Sequence, residues 1–252
     1  LQGGKSLKKS EIRSAYPGLV TDFVTELTSP PSNLTEDENE NDQISGHPFF
    51  DEVNISKRNK GDRALCDMLL HEHLYPGKNK HWTSLESLYV DKKESLSARE
   101  KDGFKSSLQN FYLNVQKEIE GERRVNPRLK TYNLIITYFQ TWNILSQDYD
   151  HSNLNFAEII TEFENLRSGN NEDLQLVKFN EALSSAGYSE DRMERRLNIL
   201  MNYILMHYPL TPLDSQRGFT EQQKLAIWEK ANHRCEWEEN GSKSDCKSVK
   251  KT

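Results

Sequence analysis

The fold is decided by residues 131–148, "TYNLIITYFQTWNILSQD", because the large apolar side chains of this stretch recur at helical spacing. These side chains are Leu134, Ile135, Tyr138, Phe139, Trp142 and Leu145. On a helix of 3.6 residues per turn they cover one broad face. The breadth of that face predicts a central helix with neighbours packed around it.

Apolar residues recur at the same spacing on both sides of this stretch. One series predicts a long helix that continues to Ile119, through Phe104, Leu108, Phe111, Val115 and Ile119. Further series predict helices over 156–166, 174–183 and 193–205. No stretch shows the convincing alternation of apolar and polar residues that marks a half-buried strand. The sequence therefore predicts an all-α fold, an irregular multi-helix bundle with about seven or eight helices.

Composition limits the compartment and the partners. The net charge of −6 means that any contact with nucleic acid is local, because a broad DNA-binding face normally brings a basic excess. Three cysteines, an odd number, are too few for a disulfide framework and indicate a reducing cytoplasm. No apolar run reaches the roughly 18 residues that a membrane span requires, so no membrane association is predicted.

Residues 28–48, "TSPPSNLTEDENENDQISGHP", have the composition of a solvated surface loop. The stretch is rich in acidic residues and nearly free of large apolar ones. Its burial could not offset the conformational entropy lost on ordering. We therefore expect 28–48 to be an acidic flexible loop and the most mobile part of the chain.

Three arginines fall close together in "SEDRMERRLNILM", residues 189–201. We predict that Arg192, Arg195 and Arg196 share one side of a helix, opposite its apolar residues. A row of guanidinium groups suits contact with DNA phosphates. The interleaved acidic residues offer an alternative, in which the arginines pair along a solvated helix face.

Two cysteines enclose a turn near the C-terminus, in "HRCEWEENGSKSDC", residues 233–246. Cys235 and Cys246 could supply two thiolates to a structural zinc site, with two further ligands from elsewhere. Their spacing alone fits two unrelated reduced cysteines equally well.

The residues that lead into Cys235 resemble the start of HNH-type nuclease modules. The residues that carry the resemblance are Arg217, Gly218, Phe219, Thr220, Gln223, Lys224, Ile227, Trp228, Glu229, Arg234 and Cys235. It implies the start of a zinc-stapled ββα fold that cleaves DNA with a histidine general base and a divalent ion such as Mg²⁺. In the family the catalytic histidines follow the second cysteine. Only six residues follow Cys246, and none is histidine, so no catalytic residue is assigned.

The N-terminus bears a second resemblance, to the region that follows the ParB-like domain of GmrSD-type restriction proteins. It is carried by Gln2, Gly4, Leu7, Glu11 and Arg13. Several proteins of this type end in an HNH module, so the two resemblances agree. They imply a nucleotide-linked domain upstream and a longer polypeptide of which this chain is part.

These observations predict four segments. They are the end of a ParB-like domain with a first helix (1–27), the acidic loop (28–48), a helical domain (49–208), and a linker with the start of an HNH-type module (209–252). The function expected is part of a cytoplasmic anti-phage restriction endonuclease that cuts foreign, modified DNA and is able to form homo-oligomers. The alternatives are a non-catalytic helical adaptor and a nucleotide-regulated effector.

Overall fold

The computed structural model of the chain describes residues 12–13, 15–29, 46–53, 61–169, 172–184, 187–213, 238–239 and 242–243. The helices in these ranges are α1 (Leu19–Thr28), α2 (Pro48–Glu52), α3 (Gly61–Leu74), α4 (Trp82–Asp91), α5 (Ala98–Val115), α6 (Tyr132–Asp148), α7 (Phe156–Ser168), α8 (Leu174–Ala182) and α9 (Glu190–His207). The strands are β1 (Gln116–Ile119), β2 (Glu122–Val125), β3 (Tyr149–Asp150), β4 (Thr211–Pro212), β5 (Glu238–Glu239) and β6 (Ser242–Lys243).

Helices dominate this part of the chain, and the strands are short, so the predicted all-α class is confirmed. The chain divides into two compact units, Leu1–Thr211 and Pro212–Thr252. The HNH-type module predicted in the second unit stays a prediction. Among the described residues, no helix has both the length and the apolar character needed to cross a membrane.

Helix α6 lies at the centre of the first unit. Every residue from Leu134 to Trp142 is buried, and α3, α5 and α9 all pack against this helix. The helix begins at Tyr132 because the Thr131 side chain accepts a hydrogen bond from the Leu134 amide at 3.4 Å, which satisfies one of the unpaired donors of the first turn. The broad apolar face read from the sequence thus belongs to a helix enclosed by the core.

The predicted helix through Ile119 is wrong in its last turn. Helix α5 ends at Val115, and β1 then pairs with β2 in an antiparallel hairpin. The two turn residues, Glu120 and Gly121, have φ angles of 53° and 84°. Positive φ at both central positions is the geometry of the type I′ turn, whose twist suits two-residue hairpins. A helix cannot continue through such a turn, so the spacing of Ile119 is a coincidence.

Helix α1 belongs to the same core as the later helices. Its residues Val20, Phe23, Val24 and Leu27 are buried, and the helix packs against α3. The sequence places a boundary between 1–27 and 49–208, but the hydrophobic core is continuous across it.

The ends of the predicted acidic loop are held together, although residues 30–45 lie outside the described ranges. The Gly46 amide donates to the Ser29 carbonyl at 3.1 Å, and the His47 amide donates to the Leu27 carbonyl at 2.8 Å. These bonds join the end of α1 to the start of α2. The predicted mobility of this loop stays a prediction.

A buried ion pair joins α3 to the segment that follows it, and a hydrogen bond links this pair to α6. Lys80 Nζ lies 2.7 Å from Glu72 Oε2, and both side chains are almost completely buried. The other carboxylate oxygen, Glu72 Oε1, accepts hydrogen bonds from Gln140 Nε2 on α6 at 2.9 Å and from the Gly77 amide at 3.0 Å. A buried charge is tolerated only when it is paired and hydrogen-bonded. Glu72 therefore constrains both the turn after α3, through Gly77, and the contact between α3 and α6, through Gln140.

Replacing Glu120 by Asn should stabilise the protein. Asn adopts positive φ at less cost than Glu, and Asn-Gly is the preferred pair for a type I′ turn. We expect Glu120→Asn to raise the free energy of unfolding by roughly 0.5–1 kcal/mol, measured by urea denaturation. The control Glu118→Asn, in β1 of the same hairpin, should not stabilise the protein, because Asn is disfavoured in strands. Stabilisation by both substitutions would contradict the turn assignment.

Candidate nucleic-acid interface

The predicted arginine row lies on α9, but the structure divides it. The buried residues of this helix are Met193, Arg196, Leu200 and Ile204, three or four residues apart. Arg196 therefore lies on the core-facing side, with no exposed surface, and not on the surface with Arg192 and Arg195. The prediction that Arg196 shares an exposed side of the helix with Arg192 and Arg195 is wrong, because its guanidinium group is enclosed by the protein.

Neutral oxygen atoms hold the buried guanidinium group. Arg196 Nε donates to Thr137 Oγ1 at 2.9 Å, and Nη1 donates to the Ala182 carbonyl at 2.6 Å and the Gly187 carbonyl at 2.8 Å. Ala182 is the last residue of α8, where the helix dipole places negative potential. Arg196 therefore joins α9 to α6, to the end of α8 and to the segment that leads into α9.

Burial lowers the pKa of Arg196 to about 10. The group is still protonated near neutral pH, so the core of the protein contains a positive charge. No acidic side chain forms an ion pair with it within the described ranges. Carbonyl dipoles and the α8 terminus compensate part of this charge, and the second terminal nitrogen, Nη2, is buried without a hydrogen-bond partner among the described residues.

The exposed side of α9 carries the remaining two arginines. Arg192 is half-buried, and its Nη1 donates to the Glu181 carbonyl at 3.3 Å and to the Ser184 hydroxyl. Arg195 is exposed and lines two shallow cavities of about 460 and 520 Å³ between α8 and α9. The predicted surface row thus consists of one tethered arginine, Arg192, and one, Arg195, that has no ion pair with the residues described in the structure.

The surface around Arg195 includes a further cation, which the sequence reading did not single out. Lys178 of α8 lines the 520 Å³ cavity with Arg195, together with Asn198 and Asn202. Asp191 and Glu194 lie at the same cavity. Among the described residues, neither Arg195 nor Lys178 forms an ion pair. The signal for Lys178 was weak because it lies in a different helix, so only tertiary packing brings the two cations together.

Arg13, one of the residues behind the N-terminal resemblance, has a structural role. Its Nε donates to Asp67 Oδ2 at 2.8 Å, and the other oxygen of Asp67 accepts from the Tyr89 hydroxyl. The Arg13 guanidinium carbon also lies 5.5 Å from the centre of the Trp82 ring. Arg13 therefore attaches the N-terminal residues to the helical core through an ion pair and a cation–π contact.

The predicted zinc ligands, Cys235 and Cys246, lie outside the described residues. Cys66, the third cysteine, is buried in α3, and burial raises the pKa of its thiol. Within the described ranges, no three His, Cys, Asp or Glu side chains are grouped so that they could hold a metal ion.

Between the two predicted ligands, however, β5 pairs with β6 in an antiparallel hairpin. Its register places Glu238 opposite Lys243 and Glu239 opposite Ser242.

No protein-family model, curated protein or solved structure matches this chain. The resemblances to HNH-type modules and GmrSD-type proteins therefore rest on the residues quoted above.

Neighbouring arginines on α9 should respond very differently to substitution. Arg196→Met leaves two buried carbonyl groups and a hydroxyl without their donor, so we expect the free energy of unfolding to fall by about 3 kcal/mol. Arg195→Met, one residue earlier on the exposed face, should change it by less than about 0.5 kcal/mol. Chemical denaturation of both variants checks this difference. Equal, small effects would contradict the placement of Arg196 in the core.

Proposed function

We propose that this chain is the helical part of a DNA-cleaving defence protein of the HNH type, and that its C-terminal segment begins a zinc-stapled nuclease module. The observation that carries the proposal is the register of the β5–β6 hairpin. The proposal also assigns a local DNA contact to the exposed face of α9.

The hairpin register suits a pair of metal-binding thiolates. Glu238 lies opposite Lys243. Each step away from the turn goes back by one residue from Glu238 and forward by one residue from Lys243. Cys235 and Cys246 lie outside the described residues, and we predict that the same register, continued by three steps, sets them opposite each other. Directly opposed residues in an antiparallel pair have Cβ atoms about 5 Å apart, close enough for two sulfur atoms to share one zinc ion. This predicted pairing would account for the ten residues between the two cysteines.

The exposed face of α9 suits a DNA backbone. Phosphate contacts need cations that are held in place but not already paired. Arg192 is held by Ser184 and by the end of α8, and Arg195 and Lys178 face one shallow cavity. Because the chain as a whole has a charge of −6, such a contact is local and adds to DNA binding by the nuclease module. Binding at this face would orient the DNA for cleavage, with Mg²⁺ or a similar ion supplied at the nuclease centre.

The second candidate, a helical adaptor that forms homo-oligomers, is favoured by one feature. Near its C-terminal end α9 exposes two large apolar side chains, Leu205 and Met206, and Met206 is 81% exposed. A surface of this kind suits contact with another protein chain. Concentration-dependent self-association without DNA binding would support the adaptor over the nuclease.

The zinc proposal predicts a specific loss of metal. Protein purified at its native length should contain about one zinc ion per chain, the content of one tetrahedral structural site. Cys235→Ser and Cys246→Ser should each abolish it, because a serine hydroxyl is a poor zinc ligand. Cys66→Ala is the matched control and should keep the zinc, since Cys66 lies in the helical core. Metal analysis gives the answer, and protein without zinc would remove the support for an HNH-type module.

The DNA proposal predicts a change in salt dependence. Combining Arg195→Gln with Lys178→Gln should weaken binding to a duplex oligonucleotide, and the slope of log K against log salt should fall by about 2 because two phosphate contacts are lost. Fluorescence anisotropy over a series of salt concentrations measures both quantities. Arg99→Gln and Lys101→Gln, on α5, form the control pair. An equal change in the control, or no change in either, would contradict a contact at α9.

A further inference from the structure

His71, on α3, is a titratable residue that the core encloses. Its exposed fraction is 4%, and the centre of its ring lies 5.2 Å from the centre of the Tyr75 ring. The ring nitrogen Nδ1 is buried and forms no hydrogen bond with another described residue. A neutral imidazole can leave Nδ1 as an unused acceptor, whereas a protonated ring carries an N–H on both nitrogens. The surroundings of Nδ1 therefore suit the neutral ring.

The adjacent carboxylate, Glu72, is already balanced by another cation. Its Oε2 lies 2.7 Å from Lys80 Nζ, and its Oε1 accepts hydrogen bonds from Gln140 Nε2 and the Gly77 amide. The side chains of Glu72 and Lys80 are 3% and 0% exposed, so their charges are removed from water together with His71. A proton on His71 would therefore add an uncompensated positive charge beside a buried, neutral ion pair.

The other charged groups around this site also form ion pairs. These pairs are Asp67 with Arg13, one turn earlier on α3, Lys78 with Glu190 toward α9, and Lys92 with Glu100 toward α4 and α5. From α6 the site is met by the uncharged side chain of Gln140. The next histidine on α3, His73, lies instead against Phe104 of α5. Its titration therefore belongs to a different contact.

The environment lowers the pKa of His71. Burial is the larger cause and the Lys80 ammonium the second, and together they lower this pKa from 6.5 to about 4. In the unfolded chain the ring has its ordinary pKa near 6.5. Because the folded pKa is the lower one, the stability that depends on the neutral ring is complete above about pH 6.5. It is lost as the pH falls from about 6.5 toward 4.

The segment that follows His71 joins α3 to the residues that lead into α9. It begins where the Tyr75 amide donates to the His71 carbonyl at 2.8 Å. At its other end the Lys80 amide donates to the Tyr188 carbonyl at 3.0 Å. The ion pair between Lys78 and Glu190, at 3.5 Å, makes a second contact with α9. Residues 75–80 thus connect two helices, and the buried Lys80 attaches this connection to the core.

We propose that His71 makes this connection sensitive to acid: a proton taken up by the His71 ring releases residues 75–80 from α3 and from the start of α9. The closed site holds the positive charge of Lys80 and has no compensation for a second one. Opening admits water to both cations, so proton uptake and opening are linked. Loss of the proton restores the closed connection. This device is independent of the zinc site and the DNA contact proposed above.

Nuclear magnetic resonance of the histidine rings tests the proton uptake directly. The ring signal that disappears in His71→Gln identifies His71. In the folded protein this ring should still be neutral at pH 5.5, where a solvated histidine is about 90% protonated. A His71 ring that is mostly protonated at pH 5.5 in the folded protein would overturn the proposal.

Hydrogen exchange at the Lys80 amide measures the opening. After correction for the intrinsic rate at each pH, exchange should become about 20-fold faster between pH 7 and pH 5, because the open form binds the proton with an ordinary pKa. His71→Gln cannot take up the proton and should reduce this change to less than about threefold. His81→Gln replaces the exposed histidine directly after Lys80, so it is the matched control and should respond to pH as the unsubstituted protein does. An equal response in His71→Gln, or a lost response in His81→Gln, would contradict the proposal.

Lys80→Gln tests the role of the buried ammonium group. Without it, Glu72 is free to attract a proton to its neighbour, so the pKa of His71 should rise and its ring should be mostly protonated at pH 5.5. Circular dichroism at pH 7 establishes whether this variant is folded. A ring that stays neutral at pH 5.5 in folded Lys80→Gln would count against the proposal. If the variant does not fold, the measurements on the unsubstituted protein and on His71→Gln decide.

Discussion

The arrangement of the helices depends on one buried positive charge, the guanidinium group of Arg196. A charge in the core depends on the polar groups that the fold places around it. Here the compensation comes from Thr137 on α6, from the last carbonyl of α8 and from the Gly187 carbonyl. Apolar packing tolerates small shifts, whereas these hydrogen bonds require specific positions. The charge therefore specifies how α6, α8 and α9 meet, while apolar burial supplies most of the stabilisation.

A second buried charged group, the carboxylate of Glu72, is also connected to α6. Gln140, three residues after Thr137, donates to Glu72, and Glu72 pairs with Lys80. The Lys80 amide in turn donates to the Tyr188 carbonyl at 3.0 Å, next to the carbonyl that holds Arg196. These polar contacts thus form one continuous network that joins α6, α3 and the segment before α9. Helix α9, which carries Arg195, is attached to this network through the next residue, Arg196.

The sequence predicted what depends on regular spacing and missed what depends on tertiary contacts. Helix α6 was predictable because its apolar face is broad and unbroken. The β1–β2 hairpin was missed because Ile119 happens to continue the spacing of α5, and the turn at Glu120 and Gly121 gave the weaker signal. Arg196 was assigned to the surface because arginine is seldom fully buried, although its position midway between Met193 and Leu200 fits the buried face. The neighbouring cations Arg195 and Lys178 belong to two different helices, so no local sequence pattern indicates that they lie together.

The paired ends of the acidic loop have a consequence for how this protein can diverge. Two backbone hydrogen bonds, from Gly46 to Ser29 and from His47 to Leu27, close the loop at its base. These bonds fix the distance between the end of α1 and the start of α2, so the junction of the two helices does not depend on the number of residues between Ser29 and Gly46. Since loop-closure entropy grows only with the logarithm of length, doubling the loop would cost about 0.6 kcal/mol. Insertions, deletions and whole added domains can therefore accumulate at this point, which makes it a place where related proteins can differ in length and where a reporter can be inserted.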